Sequence, residues 1–272
     1  MYQTGSVAGP TRLRNDPTRR LWRTKLLTGA FRTIRDGLLS LSYPAECRVC
    51  GGQVESWDDG VACALCWENT NVTTCFDDAL CEKCGRPAPD QRVDCPRCRS
   101  LPFSLARACG AYAGALEASV LFLKANPFIC TRLRRIIARV YSGHRERLGC
   151  DVVVPVPLHP RRKRERGFNQ SELTAMHLAR VAGLPLDRQS LVRTKYTERH
   201  RAGLDLLDRS RSVEGAFAVR GDHSIGGRTV LLVDDVLTTG STVCSAVRTL
   251  LEAGAVRVNV FTIAQVVDQP VG

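Results

Sequence analysis

Three groups of residues in this 272-residue chain have types and spacings that could do chemistry. The first lies in "VLLVDDVLTTGSTV", residues 230–243. Apolar residues run straight into Asp234 and Asp235, and Thr238-Thr239-Gly240-Ser241-Thr242 follows. Adjacent carboxylates can accept hydrogen bonds from vicinal hydroxyls, and they also suit a hard divalent cation. A hydroxyl-rich turn that opens a helix offers backbone N–H groups to a dianion, and Gly240 is expected to permit close approach. A ribose 5-phosphate fits this ensemble, its diol on the acids and its phosphate in the loop. The bland alternative is a solvated strand-to-helix turn with Thr238 as N-cap. An unbroken strand, two acids and a hydroxyl run in one context argue against it. No Walker lysine motif is present, so a nucleoside-triphosphate P-loop is excluded.

The second group is cysteine. Eight of the 13 cysteines form four C-x-x-C pairs, Cys47/Cys50, Cys63/Cys66, Cys81/Cys84 and Cys95/Cys98. The spacings are C-x2-C-x12-C-x2-C and C-x2-C-x10-C-x2-C. Paired knuckles of this kind place four thiolates around a tetrahedral ion, and sulfur ligands favour Zn²⁺ or an iron–sulfur cluster. The dozen-residue separation is a zinc-ribbon pattern, so about two structural Zn²⁺ are expected, one for every four thiolates. Spacing leaves open whether the pairs combine consecutively or interleave. Cys75, Cys109, Cys130, Cys150 and Cys244 stand alone and are expected as small buried apolar residues.

The third group is basic. The formal net charge is +12, and residues 1–43 hold eight Lys/Arg against two acids. A second concentration is "RRKRER", Arg161 to Arg166. This balance suggests an anionic partner, nucleic acid or polyphosphate, without separating the two; a solvated face is the plain alternative.

Elements must position these groups. Residues 1–20 are expected as a disordered tail. Leu26, Leu27, Phe31, Ile34, Leu38 and Leu41 recur at helical spacing, giving a basic amphipathic helix over 21–44; such a helix could lie on a membrane or a phosphate backbone, but its stripe is expected to pack on a neighbouring domain. Residues 45–102 carry the cysteines and few aliphatics, so they need metal to fold. From 103 to 272 the texture alternates. Helices are expected at "ALEASVLFLKAN", "CTRLRRIIARVYSGHRERLG", "GFNQSELTAMHLARVAGL" and "STVCSAVRTLLEAG"; strands at "DVVVPVPL", "RTVLLVDDVL" and "VRVNVFTIAQV". "ACGAYAG" reads as a strand or turn. Such alternation predicts an α/β domain, a parallel sheet with helices on both faces. No apolar run reaches the roughly 20 residues of a spanning helix, and no secretory signal is evident, so the cytoplasm is the expected compartment.

The acidic stretch resembles the phosphoribosyl-pyrophosphate (PRPP) signature of type I phosphoribosyltransferases. The wider pattern resembles the ComF family: cysteine knuckles, then "VVPVPLHPRRKRERGFNQ", then the acidic pair. The resemblance runs from about Leu38 to Val267. It implies a parallel-sheet type I phosphoribosyltransferase fold with an N-terminal zinc-ribbon domain. It further implies that Asp234 and Asp235 hold the ribose hydroxyls, and that Thr238, Thr239, Gly240, Ser241 and Thr242 bind the 5-phosphate. The segment ending at Arg166-Gly167-Phe168 would bind pyrophosphate, and Lys124 matches a lysine in the preceding helix. Asp234, Asp235, Lys124 and Arg166 are thus the implied catalytic set, with Mg²⁺ bridging pyrophosphate and ribose. Where many members have a glutamine this chain has "ERHRAGL", and Ser212 stands where an asparagine is common; both fall in the expected loop between Arg193 and Phe217, where Arg199 and Arg201 could also serve. The implied reaction displaces pyrophosphate from C1 of PRPP toward an unnamed acceptor. The family's association with DNA uptake in competence supports a second expectation, an accessory that grips nucleic acid, single-stranded DNA included, with the PRPP site regulatory or vestigial.

Overall fold

The computed structural model describes residues 45–72, 80–88, 95, 98–196, 215–221 and 225–267. The expected tail and basic helix, Cys75, and the loop with Arg199, Arg201 and Ser212 lie outside these residues. From Ala45 onward the chain forms one compact unit.

Its frame is a four-stranded, wholly parallel sheet. The strands are β1 (Leu105–Ala108), β2 (Val152–Pro155), β5 (Thr229–Leu237) and β6 (Arg257–Gln265), in the order β1-β6-β5-β2. A separate antiparallel pair, β3 (Leu191–Arg193) and β4 (Phe217–Val219), flanks the undescribed loop. The helices are α1 (Ala64–Glu68), α2 (Gly114–Leu123), α3 (Thr131–Gly143), α4 (Arg145–Leu148), α5 (Pro160–Arg166), α6 (Gln170–Ala182) and α7 (Ser241–Glu252).

Two cores sandwich the sheet, and the period-2 geometry of a strand divides residues between them. Leu231 and Val233 of β5 join Phe261 and Ile263 of β6 on the face covered by α2, α3 and α6. Val230 and Leu232 join Val258 and Val260 on the face covered by α7 and the β3–β4 pair. Unbroken apolar runs in β2 and β5 follow from this double burial.

The cysteine segment joins both cores. Cys47, Cys63 and Trp67 pack with α2 and α3, whereas Cys81, Cys84 and Cys98 pack with Phe103, β1 and α7. Three local readings change, and one is resolved. Of the strand and turn expected at "ACGAYAG", β1 ends on its first residue, Ala108, and the rest forms the turn into α2. The long basic helix breaks at His144, where φ reaches −115°. The turn before α7 is capped by Gly240, not Thr238. "RRKRER" is helix α5: Pro160 sits in its first turn, the His159 ring accepts from the Arg161 N–H at 3.2 Å, and Gly167 ends it at φ +81°.

Candidate functional site

β5 carries Asp234 and Asp235 through the middle of the sheet to its carboxyl end, where open parallel sheets bind ligands. Each acid is only 8% exposed. The first turn of α6 meets both: Ser171 Oγ donates to Asp234 Oδ1 at 2.8 Å, and Gln170 Nε2 donates to Asp235 Oδ2 at 3.2 Å. The Asp235 and Val236 N–H groups donate back to the two carboxylates at 2.9 Å each. Burial, and then the Asp235 charge, push the Asp234 carboxyl well above the usual carboxylate range, against the Ser171 bond. Two buried acids side by side ionise together only when something cationic or donor-rich joins them. The donor set therefore fits a divalent cation or a vicinal diol.

Thr238 to Thr242 follow at once. Gly240 sits at φ +85° and its carbonyl starts α7 by accepting from the Cys244 N–H at 2.7 Å. A Cβ on Gly240 would stand 3.6 Å from Cys244 Sγ and 3.8 Å from Leu101 and Leu237, which is ordinary contact. The glycine is thus required by the left-handed turn; its missing side chain faces the core instead of leaving room for a ligand. Thr239 and Ser241 hydroxyls lie 2.9 Å apart at the helix start.

Arg166, in the last turn of α5, donates to Gln170 Oε1, so one relay joins this cation to Asp235. Asn169 ties that turn to the residue just after β2 through Nδ2 to the Val156 carbonyl at 3.0 Å. Lys124 closes α2, whose first turn adjoins the end of β6, about 15 Å along the helix axis. No hydrogen bond or ion pair among the described residues joins it to the acids. Sequence reasoning did not single out Ser171, Gln170, Tyr112 or Arg193. The Tyr112 phenol is pushed up by burial, Glu117 and Asp235. The Arg193 guanidinium lies over the Phe217 ring at 5.4 Å; burial and Arg162 draw its pKa down and Asp234 acts to raise it. A hydroxyl and an amide directly after "RGFN" were the available signal.

The eight knuckle cysteines assemble consecutively. Cys47, Cys50, Cys63 and Cys66 form one group, Cys81, Cys84, Cys95 and Cys98 the other, each with all sulfurs within 4.8 Å. A tetrahedral Zn²⁺ with bonds of about 2.3 Å sets its sulfurs about 3.8 Å apart. Cys50 and Cys63 Sγ lie 3.8 Å apart, and Cys81 and Cys98 Sγ 3.6 Å. Backbone N–H groups of Gly52 and Cys63 point at Cys50 and Cys47 sulfurs, at 3.4 and 3.3 Å. Burial raises the Cys47 thiol, but the N–H groups of Cys50, Cys63 and Val49 outweigh it and bring it below the ordinary range. Beside the second group, Arg107 is 3% exposed and its Nε has no partner. Burial and Arg147 lower its pKa to about 10, while Cys81 and Cys84 act to raise it. A buried guanidinium of this kind suits the net negative charge of a metal held by four thiolates. Both groups fit Zn²⁺, and as closed four-sulfur sites they would hold it structurally.

Comparison with known proteins agrees with this geometry. Residues 169–271 match the phosphoribosyl transferase domain model. DNA utilization protein YhgH of Escherichia coli K12 is 32% identical over 83% of this chain and 99% of its own length. Competence protein F of Haemophilus influenzae is 34% identical over 42% of this chain and 50% of its own, and Competence protein ComFC of Bacillus subtilis 40% identical over 41% and 43%. Among solved structures, the glutamine PRPP amidotransferase of B. subtilis covers 52% of this chain and 26% of its own at 24% identity and a TM-score of 0.33, a likeness too slight to bear on function. With a parallel-sheet phosphoribosyltransferase domain, two tetracysteine groups that fit a zinc ribbon, and a relative matched along its whole length, the chain belongs to the ComF family.

Proposed function

We propose that the protein binds PRPP and transfers its phosphoribosyl group with release of pyrophosphate. One observation carries this: two buried carboxylates at the carboxyl end of a central strand lead directly into a Gly240-capped helix start. In this reading Asp234 and Asp235 accept from the ribose hydroxyls; the hydrogen bonds from Ser171 and Gln170, which hold them in one orientation, support it. The Thr239 to Thr242 N–H groups and hydroxyls suit the 5-phosphate. Arg166, with Gly167 behind it, is assigned to the pyrophosphate, where a fixed cation helps most as the leaving group gains charge; its bond to Gln170, the partner of Asp235, supports this. Lys124 is assigned to the same end through the family resemblance. A bound Mg²⁺, with Asp234 and Asp235 as its nearest carboxylates, would supply further neutralisation of the leaving pyrophosphate. The acceptor is a base or amine that the pocket does not name, and the cytoplasm, where PRPP is available, is the proposed compartment. Among the described residues no helix is long and apolar enough to cross a membrane.

Calorimetry with PRPP and Mg²⁺ tests the reading, together with pyrophosphate release over a panel of bases. Asp234→Asn should weaken PRPP by about 1.5–3 kcal/mol, the worth of a charge-assisted hydrogen bond. It should also raise the melting temperature of the ligand-free protein at neutral pH, since it removes an acid whose ionised form burial and Asp235 disfavour in the fold. Unchanged affinity in both Asp234→Asn and Asp235→Asn would remove the assignment.

A second reading has its own support. Arg161 and Arg162 lie over the Tyr196 ring at 4.8 and 5.9 Å, with His159 edge-on at 5.1 Å. An aromatic ring among cations suits the bases and backbone of single-stranded DNA. Relatives named for DNA utilization and competence point the same way. Part of this charge is engaged locally, Arg161 with Glu165 at 3.0 Å and Lys163 with Glu172 at 3.2 Å. DNA affinity that falls steeply with salt, in a protein that releases no pyrophosphate, would favour this reading.

A further inference from the structure

The two metal knuckles are near copies in their backbone. Gly51 N donates to the Cys47 carbonyl and Gly85 N to the Cys81 carbonyl, both at 2.9 Å. Cys47 N donates to Gly52 O at 2.6 Å, and Cys81 N to Arg86 O at 2.7 Å. Gly51 and Gly85 share the left-handed turn, at φ +76° and +67°. Arg86 therefore occupies the place that Gly52 fills in the first knuckle, and the turn itself makes no use of a side chain there.

The guanidinium is engaged elsewhere. Arg86 Nη2 donates to the carbonyl of Thr238, the first residue of the phosphate loop, at 3.0 Å. With the Gln265 amide turned so that its oxygen faces Arg86, the orientation that satisfies both of its ends, Arg86 Nε donates to that oxygen at 3.1 Å and the amide nitrogen donates to the Cys84 carbonyl at 3.2 Å. Gln265 ends β6 and is 2% exposed. A trans peptide is planar, with its carbonyl and N–H opposed. Holding the Thr238 oxygen toward the knuckle therefore turns the Thr239 N–H away from it, and keeps a negative carbonyl end from swinging toward an anion. The knuckle has no slack with which to follow the loop. Ala106 N donates to Lys83 O at 2.7 Å, and a Cβ on Gly85 would stand 2.9 Å from the Ala106 oxygen. Lys83 Nζ reaches the Cys98 and Leu101 carbonyls at 3.1 and 2.8 Å, which fixes Leu101 beside Gly240.

We propose that Arg86 is a positioning residue for the phosphate loop, through which the second tetracysteine group, when metal-loaded, holds that loop in its binding geometry. The ligand end of this inference rests on the PRPP reading; the mechanical coupling does not. The test uses the full-length, zinc-loaded protein. Amide exchange of the Leu237–Cys244 segment is measured by mass spectrometry, alongside zinc content, melting temperature and affinity for PRPP and for inorganic phosphate. Arg86→Met should retain its zinc and its melting temperature, because Gly52 serves the equivalent turn. Exchange in the loop should rise roughly tenfold, and both affinities fall by a similar factor, as for loss of one hydrogen bond to a charged group. Arg86→Lys, which can still reach the Thr238 carbonyl, should recover part of the protection. Arg132→Met, in α3 where it packs against the first lobe, should leave the loop unchanged. Loop exchange that stays at the wild-type rate in Arg86→Met, or that rises only with loss of zinc, would overturn the proposal. If the wild type has no affinity for PRPP while Arg86→Met still loosens the loop, the coupling stands and the PRPP reading is what fails.

Discussion

The two tetracysteine lobes have the same ligands and the same knuckle backbone, yet they lean on different parts of the molecule. The first is a buttress for helices. Arg132 of α3 pairs with Asp59 at 3.0 Å and lies over the Trp67 ring at 5.6 Å, while the Trp67 indole donates to the Asp59 carbonyl at 2.8 Å. Thr70 Oγ1 accepts from the Ala115 N–H at 3.0 Å and so caps the start of α2. Gly60 meets Cys130 so closely that a Cβ would come within 2.5 Å. The second lobe touches the strand ends and, through Arg86, the Thr238 carbonyl instead. Identical metal chemistry thus does not assign a role; the residues just outside the ligand set do.

Three substitutions or conditions sharpen this contrast, taken from the largest effect downward. Trp67→Ala should cost about 3–5 kcal/mol in urea unfolding, the usual toll for a buried aromatic, with PRPP affinity of the folded fraction unchanged. A matching loss of affinity would erase the distinction between the lobes.

Acid probes the second lobe's surroundings. His144 is 6% exposed, and burial, then Arg107 and Arg147, lower its pKa from 6.5 to about 4. Both cations border the second lobe, Arg147 pairing with Glu82 at 3.7 Å and Arg107 lying against Gly85. The unfolded chain takes up this proton first, so the contribution is intact above pH 6.5 and is lost as pH falls toward 4. The full loss is roughly 3 kcal/mol. Unfolding midpoints followed over that window should fall more steeply in the wild type than in His144→Gln; parallel curves would refute the assignment.

Gly240→Ala should be the mildest change, about 1–2 kcal/mol, because only the left-handed turn resists and the space for a Cβ exists. A much larger cost would mean that the loop's surroundings are tighter than the Leu101 and Cys244 distances indicate.

Much of this was legible in local sequence, for definite reasons. β5 and α7 carry unambiguous apolar patterns, and the acids and hydroxyl run are contiguous with them, so their placement needed no tertiary information. The cysteine groups followed from spacing, although consecutive pairing required coordinates. α5 was missed as a helix because Arg161 to Arg166 has no apolar stripe; Pro160 and Gly167 were the signals that bracketed it. The partners of the acids were out of reach for a different reason. Ser171 lies 63 residues from Asp234 and Arg86 lies 152 from Thr238, and no local pattern reports such meetings. The reason for a glycine at 240 was also out of reach, since the direction of an absent Cβ depends on backbone angles the sequence does not state.

The place of the lobes beside β1 has a consequence for solubility. An outermost strand with free backbone groups is a template on which a second chain can add. Here the Ala106 N–H of β1 is given to Lys83, and Gly110 just beyond it bridges to Val72, one contact from each lobe. The opposite border is closed similarly, with Val153 N donating to Pro185 O and Asp187 N to Val153 O, both at 2.9 Å. That second border is sealed by ordinary chain, whereas the first is sealed by segments that carry the two tetracysteine groups, which could hold zinc. If zinc shapes those segments, its loss would uncover β1 alone, and metal starvation should make this protein stick to itself through that one strand before the sheet behind it comes apart.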